Sequence, residues 1–295
     1  KDALGATTTG ASNVAVGSQA LDAGNHSNCN AFGYQALSAN TTGASNCAFG
    51  SHALQLNTTA ANNSAFGHRA LDANTTGANN SAFGSGALGA NTTASDNAAF
   101  GKDALLSNTT GTYNAAFGAY ALDASSTQSY CTALGYGALS ASNADGNTAV
   151  GYLAAANITT GTDNVAIGQN ALNQSSTGSE NIAIGKNTLY NCTSNQNVAV
   201  GGEGCGDSVT TGSECCFFGA YAGTAVTTGS GNTLIGPAAA AGLTEGSYNT
   251  FIGKDTGQTN TTGNNNVHVG RNTFASGSAA AIEIVLGASV TGAGD

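Results

Sequence analysis

Large apolar residues recur along this chain at a fixed distance from a glycine. The unit Asn-Ser-Ala-Phe-Gly fills residues 63–67 and returns at residues 80–84, seventeen residues later. Written as Asn-x-Ala-Φ-Gly, with Φ a large apolar residue, the unit recurs with substitutions in steps of 16, 17 or 18 residues. A sequence that keeps its phase this long predicts a solenoid rather than disordered chain. The repeat glycines are Gly17, Gly33, Gly50, Gly67, Gly84, Gly101, Gly118, Gly135, Gly151, Gly168, Gly185, Gly201, Gly219, Gly236, Gly253, Gly270 and Gly287.

Each unit has the composition of one coil with two short strands and two turns. The first predicted strand is Asn-x-Ala-Φ, as at residues 164–167, and the glycine after it makes a sharp bend. The second predicted strand is x-x-Ala-Leu, as at residues 169–172, and an Asn-Thr-Thr-Gly turn usually follows. The expected fold is therefore all-β: a parallel β-roll or β-solenoid of about seventeen 17-residue coils, with two strands per coil.

The apolar positions fall on both faces of the predicted coil. Because side chains alternate along a strand, the large residue before the glycine shares a layer with the alanine three residues after it. The opposite layer combines the alanine two before the glycine with the leucine four after it. In the last coils, the larger side chain lies on the first strand instead of the second, while the combined side-chain volume of the two positions is roughly conserved. This compensation places the paired positions in one layer. These pairs are Phe217 with Gly223, Leu234 with Ala240, and Phe251 with Gly257.

One coil cannot bury both of its apolar layers. A two-strand coil has one interior, so the second layer needs another surface to pack against. In a fibre that surface is a second copy of the same chain, and the pattern predicts a homo-oligomer.

The regularity of the repeat divides the chain at residue 200. Residues 1–200 are regular solenoid repeats, and residues 201–295 continue the solenoid with degenerate repeats and swapped core packing. The chain has no Met and opens in mid-repeat, since residues 1–4 match residues 102–105. We expect further repeats upstream in the native protein.

Composition and charge exclude several classes of partner. The chain has 43 Gly, one Pro, no Trp and only 7% charged residues. Six Lys and Arg against sixteen Asp and Glu give a net charge of −10, which lacks the basic footprint of a nucleic-acid-binding protein. The apolar runs are too short for membrane insertion. We therefore expect no nucleic-acid partner and no membrane insertion.

Seven cysteines are present, and no two occupy the same phase of adjacent repeats. No Cys-x-x-Cys pair occurs, so neither a disulfide ladder nor a zinc site is predicted. The expectation is free thiols packed as small hydrophobes, in a chain assembled in a reducing cytoplasm. They are Cys29, Cys47, Cys131, Cys192, Cys205, Cys215 and Cys216.

No motif of an enzyme or a cofactor site breaks the repeat. The chain lacks Gly-x-Ser-x-Gly, a phosphate-binding Gly-Lys-Ser/Thr loop and His-Glu-x-x-His, so we predict no catalytic residue, no cofactor and no metal. His68 shares its position after the glycine with four cations, which predicts a solvated edge. Three aspartates at one loop phase are expected to cap or solvate the turn. The cations are Lys102, Lys186, Lys254 and Arg271, and the aspartates are Asp22, Asp72 and Asp123.

Two places in the sequence contain residue types that bind metal ions in other proteins. Residues 201–207 nearly spell a calcium-binding nonapeptide, but the acid comes one place late and the motif is not tandem. A locally loosened turn is the preferred interpretation. His268 takes a position in an apolar layer and is interpreted as a core histidine, with an axial ion or anion site between three copies as the alternative.

The Asn-Thr-Thr loops recur at a spacing of seventeen and predict a stacked ladder. The leading interpretation is structural, with amides bonded from coil to coil. The alternatives are a shallow polar surface for host glycans and a threonine array that binds ice. The ladder asparagines are Asn40, Asn57, Asn74, Asn91 and Asn108.

The repeat resembles two related groups of proteins. Asn-Val-Ala-Ile-Gly at 164–168 and Asn-Ile-Ala-Ile-Gly at 181–185 resemble the head repeats of trimeric autotransporter adhesins. With its Asn-Thr-Thr-Gly loops, the longer unit is more similar to repeats in tail-fibre proteins of bacteriophages and other viruses. Residues 283–292 are similar to segments that precede the self-cleaving chaperone domain of such fibres. The resemblance implies left-handed parallel β-rolls with three chains side by side.

These observations together predict a non-enzymatic, homotrimeric structural segment of a virion fibre, most simply a phage tail fibre. It would lie on the virion surface or outside the cell, and would hold out or contribute to host-receptor attachment. The alternatives are a bacterial cell-surface trimeric adhesin head that binds host or matrix ligands, and an ice-binding solenoid. Receptor contacts are expected where the repeat loosens, at residues 202–248, with Tyr221 and Tyr248 as the candidates.

Overall fold

The computed structural model describes residues 3–5 and 9–292. The chain folds into successive coils, each built on one short β-strand. The predicted all-β parallel solenoid with coils of about seventeen residues is confirmed. The chain forms two compact units, Lys1–Gly146 and Asn147–Asp295. The boundary predicted at residue 200 concerns the regularity of the repeat and stays a prediction. The match between the chain opening and residues 102–105 includes Lys1 and Asp2, which lie outside the described residues.

The strands are three residues long and pair in parallel within each unit. In register, Ala65 lies opposite Ala82 and Phe66 lies opposite Phe83. The first unit contains β1 (Val14–Val16), β2 (Asn30–Phe32), β3 (Cys47–Phe49), β4 (Ser64–Phe66), β5 (Ser81–Phe83), β6 (Ala98–Phe100), β7 (Ala115–Phe117) and β8 (Thr132–Leu134). The second unit contains β9 (Thr148–Val150), β10 (Val165–Ile167), β11 (Ile182–Ile184), β12 (Val198–Val200), β13 (Cys216–Phe218), β14 (Thr233–Ile235), β15 (Thr250–Ile252), β16 (Val267–Val269) and β17 (Ile284–Leu286).

The prediction of two strands per coil is wrong, because the x-x-Ala-Leu segment forms a run of turns. Its second and fourth residues have positive φ, as in His52 (62°) and Leu54 (49°). The backbone still bonds to both neighbouring coils: His52 N donates to Tyr34 O at 2.9 Å, and Leu54 N donates to Ala70 O at 3.0 Å. These bonds offset the cost of left-handed conformations, which is about 1–2 kcal/mol per residue.

The repeat glycine is required by both its backbone conformation and its neighbours. At Gly67, φ is 144°, and a Cβ atom would lie 2.5 Å from the carbonyl oxygen of Gly84 in the next coil. No other residue accommodates that contact, so the bend after each strand keeps a bare Cα. All the repeat glycines except Gly201 have positive φ.

The interior of each coil is filled by small residues and one leucine. Ala65, Ala70 and Leu71 are all completely buried, whereas Phe66 between them in sequence points outward. The predicted layer that joins the large residue before the glycine to the alanine three residues after it is therefore wrong. The turns of the second segment rotate that alanine inward beside the leucine, which alternation along a strand would not do.

The exchange of bulk in the last coils is confirmed. A Cβ at Gly223 would lie 2.6 Å from Cε1 of Phe217, so the phenylalanine ring occupies the space that a leucine fills in other coils. Phe251 lies in the same way over Gly257. In these coils the strand contributes the large side chain of the core, whereas in coils such as that of Gly67 the leucine of the second segment contributes it.

Candidate functional site

The outer face of the strands carries a continuous column of large apolar side chains. Neighbouring phenylalanine rings stack with centroids 4.5–4.8 Å apart and nearly parallel planes. Phe117 is 39% exposed, and within the second unit isoleucine, valine and phenylalanine take the same place in their strands. The first-unit stack comprises Phe32, Phe49, Phe66, Phe83, Phe100 and Phe117.

A buried column of amides runs beneath the loops. From Asn57 onward, the Nδ2 atom of each ladder asparagine donates to Oδ1 of the asparagine in the preceding coil, at 2.9–3.2 Å. The same Nδ2 donates to a carbonyl three residues along its own loop, at 2.8–3.0 Å. The structure thus brings Asn40, Asn57, Asn74, Asn91 and Asn108 together, all completely buried. Their amides face the interior, so this column presents no surface to a ligand.

A second asparagine ladder, at the first position of the repeat unit, escaped the sequence analysis. The backbone N of Asn80 donates to Oδ1 of Asn63 at 2.9 Å, and Asn63 Nδ2 donates to Gly77 O at 2.9 Å. The pattern continues at Asn249 in the second unit, whose N donates to Asn232 Oδ1 at 3.0 Å. The regular Asn before each strand is the signal that could have revealed it.

Three cysteines replace asparagine in this second ladder. Their backbone N–H groups donate to the preceding asparagine Oδ1 at 3.0–3.1 Å, and their Sγ atoms contact the carbonyl that the Asn amide would reach, at 3.3–3.4 Å. The residues are Cys29, Cys131 and Cys215. None of the seven cysteines, all within the described residues, is in a disulfide, and five of them are buried. Burial raises the pKa of the Cys29, Cys192 and Cys215 thiols, and that of Cys205 to about 12.

The two threonines of each Asn-Thr-Thr loop differ in their hydrogen bonding and exposure. Thr58 Oγ1 donates to Thr75 O in the next coil at 3.0 Å, and Thr75 Oγ1 donates to Thr92 O at 3.0 Å. The first threonine therefore belongs to the coil-to-coil bonding. The second, as in Thr59 and Thr76, is exposed.

The two candidate receptor tyrosines lie apart from each other. Tyr221 comes two residues after its repeat glycine, whereas Tyr248 comes five residues before the next one. Each ring lies over a glycine of the preceding coil, Tyr221 over Gly204 and Tyr248 over Gly231. Both are exposed, Tyr248 at 65%, and they form two separate surface features rather than one site.

The charged columns form ion pairs on the surface. Lys186 Nζ lies 2.7 Å from Glu203 Oε1, and Lys102 Nζ lies 3.3 Å from Asp103 Oδ2. His68 is exposed. Burial raises the pKa of the Asp72 and Asp123 carboxyls.

In residues 201–207, which resemble a calcium-binding nonapeptide, the two acidic side chains contact other side chains of the protein. Glu203 pairs with Lys186, and Asp207 Oδ1 accepts a 2.8 Å hydrogen bond from Thr224 Oγ1. Across residues 3–5 and 9–292, no group of three or more His, Cys, Asp or Glu side chains is arranged to hold a metal ion.

His268 lies inside its own coil, so the alternative of an axial site between copies is wrong. Its side chain is completely buried beside the Phe251 ring, with centroids 4.7 Å apart. Its Nε2 lies 3.7 Å from Oε2 of Glu283, and burial lowers its pKa despite this carboxylate. The residue two before each repeat glycine points inward, where no second chain can reach it.

No family model and no curated protein matches the chain. The described part of the chain also contains no helix long and apolar enough to cross a bilayer.

Proposed function

We propose that this chain is a structural segment of a trimeric virion fibre, in which the outward apolar column of each copy packs against the other copies. The single observation that carries the proposal is the ring stack from Phe32 to Phe117 on the outer face of the strands. Contiguous apolar surfaces of this length on soluble proteins mark interaction sites.

The composition of the face favours self-association. The other outward column of the same strands contains small or aliphatic residues, such as Ser64, Ser81 and Ala98, which allow close approach of another backbone. A regular column with one spacing throughout is matched in length and pitch by a second copy of the same column.

The internal bonding suits a mechanical role. Between the coils of Asn40 and Asn108, two asparagine ladders and the threonine hydroxyls join each coil to the next. In this role the segment gives length and stiffness, and holds out or contributes to receptor attachment at a host surface.

The test is the solution mass of the 28.6 kDa chain by light scattering. The expected mass is close to three chains. A variant with Phe66, Phe83 and Phe100 replaced by threonine should lose the assembly but keep its β circular dichroism. A matched variant with Thr59, Thr76 and Thr93 replaced by alanine should keep it. A monomeric parent chain would refute the proposal.

A second measurement locates the interface. Cys47 and Cys216 point outward from their strands beside the apolar column and are half-buried in the single chain. Both thiols should react slowly with a maleimide in the assembled parent and faster in the triple threonine variant. Equal rates would place the interface on another face.

A further inference from the structure

We infer that the first unit carries a binding site for a neutral hexopyranose, in a cleft formed where one coil lacks two side chains. The inference deepens the proposed function, on which its biological meaning rests, by giving this segment a receptor site of its own. The cleft has a volume of about 400 Å³. That volume is within the range of small-molecule sites and accommodates one sugar ring.

The cleft exists because of a local departure from the repeat. Two and five residues after the repeat glycine, the neighbouring coils carry side chains such as Gln55, Arg69 and Asp72. In the coil of Gly84 both places are glycine, Gly86 and Gly89. The missing side chains leave a recess bounded by the coils on either side.

The neighbouring coils supply the walls. The Asp103 carboxylate leans over Gly86, and Leu106 Cδ1 would lie 3.1 Å from a Cβ at Gly89. From the other side, Asp72 Oδ1 would lie 3.8 Å from that same Cβ. Two carboxylates from different coils therefore border one recess with an apolar wall.

A cation lies beside each carboxylate, Arg69 in the lining of the cleft and Lys102 outside it. Arg69 Nε lies 3.9 Å from Asp72 Oδ2, and Lys102 Nζ lies 3.3 Å from Asp103 Oδ2. His68 and Ser85 add further polar groups to the rim. Since both signs are present in pairs, recognition rests on hydrogen bonds rather than on a net field.

This combination matches the chemistry of a neutral pyranose. Paired carboxylates accept hydrogen bonds from adjacent hydroxyl groups, and charge-assisted bonds of this kind are stronger than neutral ones. Arginine donates to hydroxyl oxygens, and the C–H face of the ring packs on Leu106. Because Asp72 already pairs with Arg69, the carboxylate of a sialic or uronic acid would have to compete with it for the guanidinium, which disfavours these acids.

The same two columns form a second recess, of about 280 Å³, in the second unit. It is bordered by Asn187 and Tyr190, which stand where Gly86 and Gly89 stand in the first unit, and by Asp207 of the next coil. Recesses therefore occur in both units on the face formed by the residues two and five places after the repeat glycine.

The test is saturation-transfer NMR and calorimetry on the full chain. The probes are the methyl glycosides of glucose, galactose, mannose and N-acetylglucosamine. At least one should bind with a dissociation constant on the order of 1 mM. Asp72→Asn and Asp103→Asn should each weaken it roughly tenfold or more, because each removes a charged acceptor.

A filled cleft gives the decisive variant. Gly89→Gln restores a side chain that Gln55 carries at the same place two coils earlier, and it should abolish binding. Ser38→Gln is the matched control, at the same place outside the cleft, and should bind like the parent. Loss of binding in both variants would overturn the inference, as would the absence of binding by every neutral probe at tens of millimolar.

Two further probes separate the ligand classes. The diamine putrescine tests a cation site, and N-acetylneuraminate tests an anion site. Saturable binding of either one at this cleft in place of the neutral glycosides would overturn the assignment. Light scattering on the same samples separates the two proposals, because a monomeric chain that binds sugar would refute only the fibre, and a trimer that binds none would refute only the site.

Discussion

Asn74 Nδ2 donates a 2.9 Å hydrogen bond to Oδ1 of Asn57 in the preceding coil, and both side chains are completely buried. The same Nδ2 atom also donates to Gly77 O within its own loop. Each amide therefore closes its own turn and joins two coils at once. Buried polar networks of this kind stabilise a structure only when every member is satisfied.

Replacing Asn74 by alanine should open the solenoid locally. The change removes the donor to Asn57 Oδ1 and the acceptor for Asn91 Nδ2, and each orphaned group costs about 1–3 kcal/mol. Hydrogen exchange should accelerate in the coils on both sides. The control is Thr59→Ala, which changes an exposed side chain in the preceding loop and should change exchange little. Equal effects of the two variants would contradict a special role for the buried ladder.

Phe217 and Gly223 share one space in the core, so substitutions at the two positions should compensate each other. Phe217→Ala should destabilise by about 3–5 kcal/mol through a cavity, and Gly223→Leu should destabilise by overpacking against the ring. The double variant restores the Ala and Leu arrangement of the earlier coils and should recover most of the loss. Thermal unfolding of all four chains forms the cycle. Additive losses in the double variant would show that the two positions do not share a space.

Cys29→Asn should stabilise the first unit. An asparagine amide would reach Gly43 O as the thiol does, and its Oδ1 would accept from Asn46 N, as in the regular coils. One added buried hydrogen bond contributes about 1 kcal/mol, seen as a higher melting temperature. Cys47→Asn, on the outer face, should give no gain; a gain at both positions would mean that the ladder is not its source.

His26 should make stability depend on pH. Its ring is buried without a hydrogen-bonding partner among the described residues, and burial lowers its pKa below 6.5. The unfolded chain then binds the proton more readily, so stability is lost as pH falls from the unfolded pKa through the folded one.

His26→Ala places alanine in a column that elsewhere holds Gly43 and Ala60. It should reduce the loss of melting temperature between pH 7.5 and pH 5, while the exposed His68→Ala should leave that loss unchanged. An unchanged loss in His26→Ala would assign the pH dependence to other groups, among them His268.

The repeat permits some features of the coil to be predicted and hides others. The bend at Gly67 and the stacking of Asn57 on Asn74 follow from residue type and spacing, because glycine and asparagine have few structural uses at a regular interval. The run of turns at His52 and Leu54 does not follow, since the leucine that recurs at the fourth position does not favour positive φ. Alternation along a strand was the wrong rule there, and it placed Phe66 in a layer with Ala70.

The cleft beside Gly86 and Gly89 shows the same limit at the level of a site. In sequence the two glycines are ordinary members of a glycine-rich chain. Their meaning depends on Asp72 and Asp103, which lie on the neighbouring coils and approach only when the coils stack.

By itself, the sequence determined the period, the parallel stacking, the bend at each repeat glycine, and the existence of more apolar surface than one coil can bury. These depend on residue type at a regular interval, which is local information. Only the tertiary structure decided which apolar column faces inward, that each coil has one strand, and that His268 is enclosed by its own chain. Those outcomes depend on backbone conformations that are stabilised by bonds to neighbouring coils, and no single repeat contains that information.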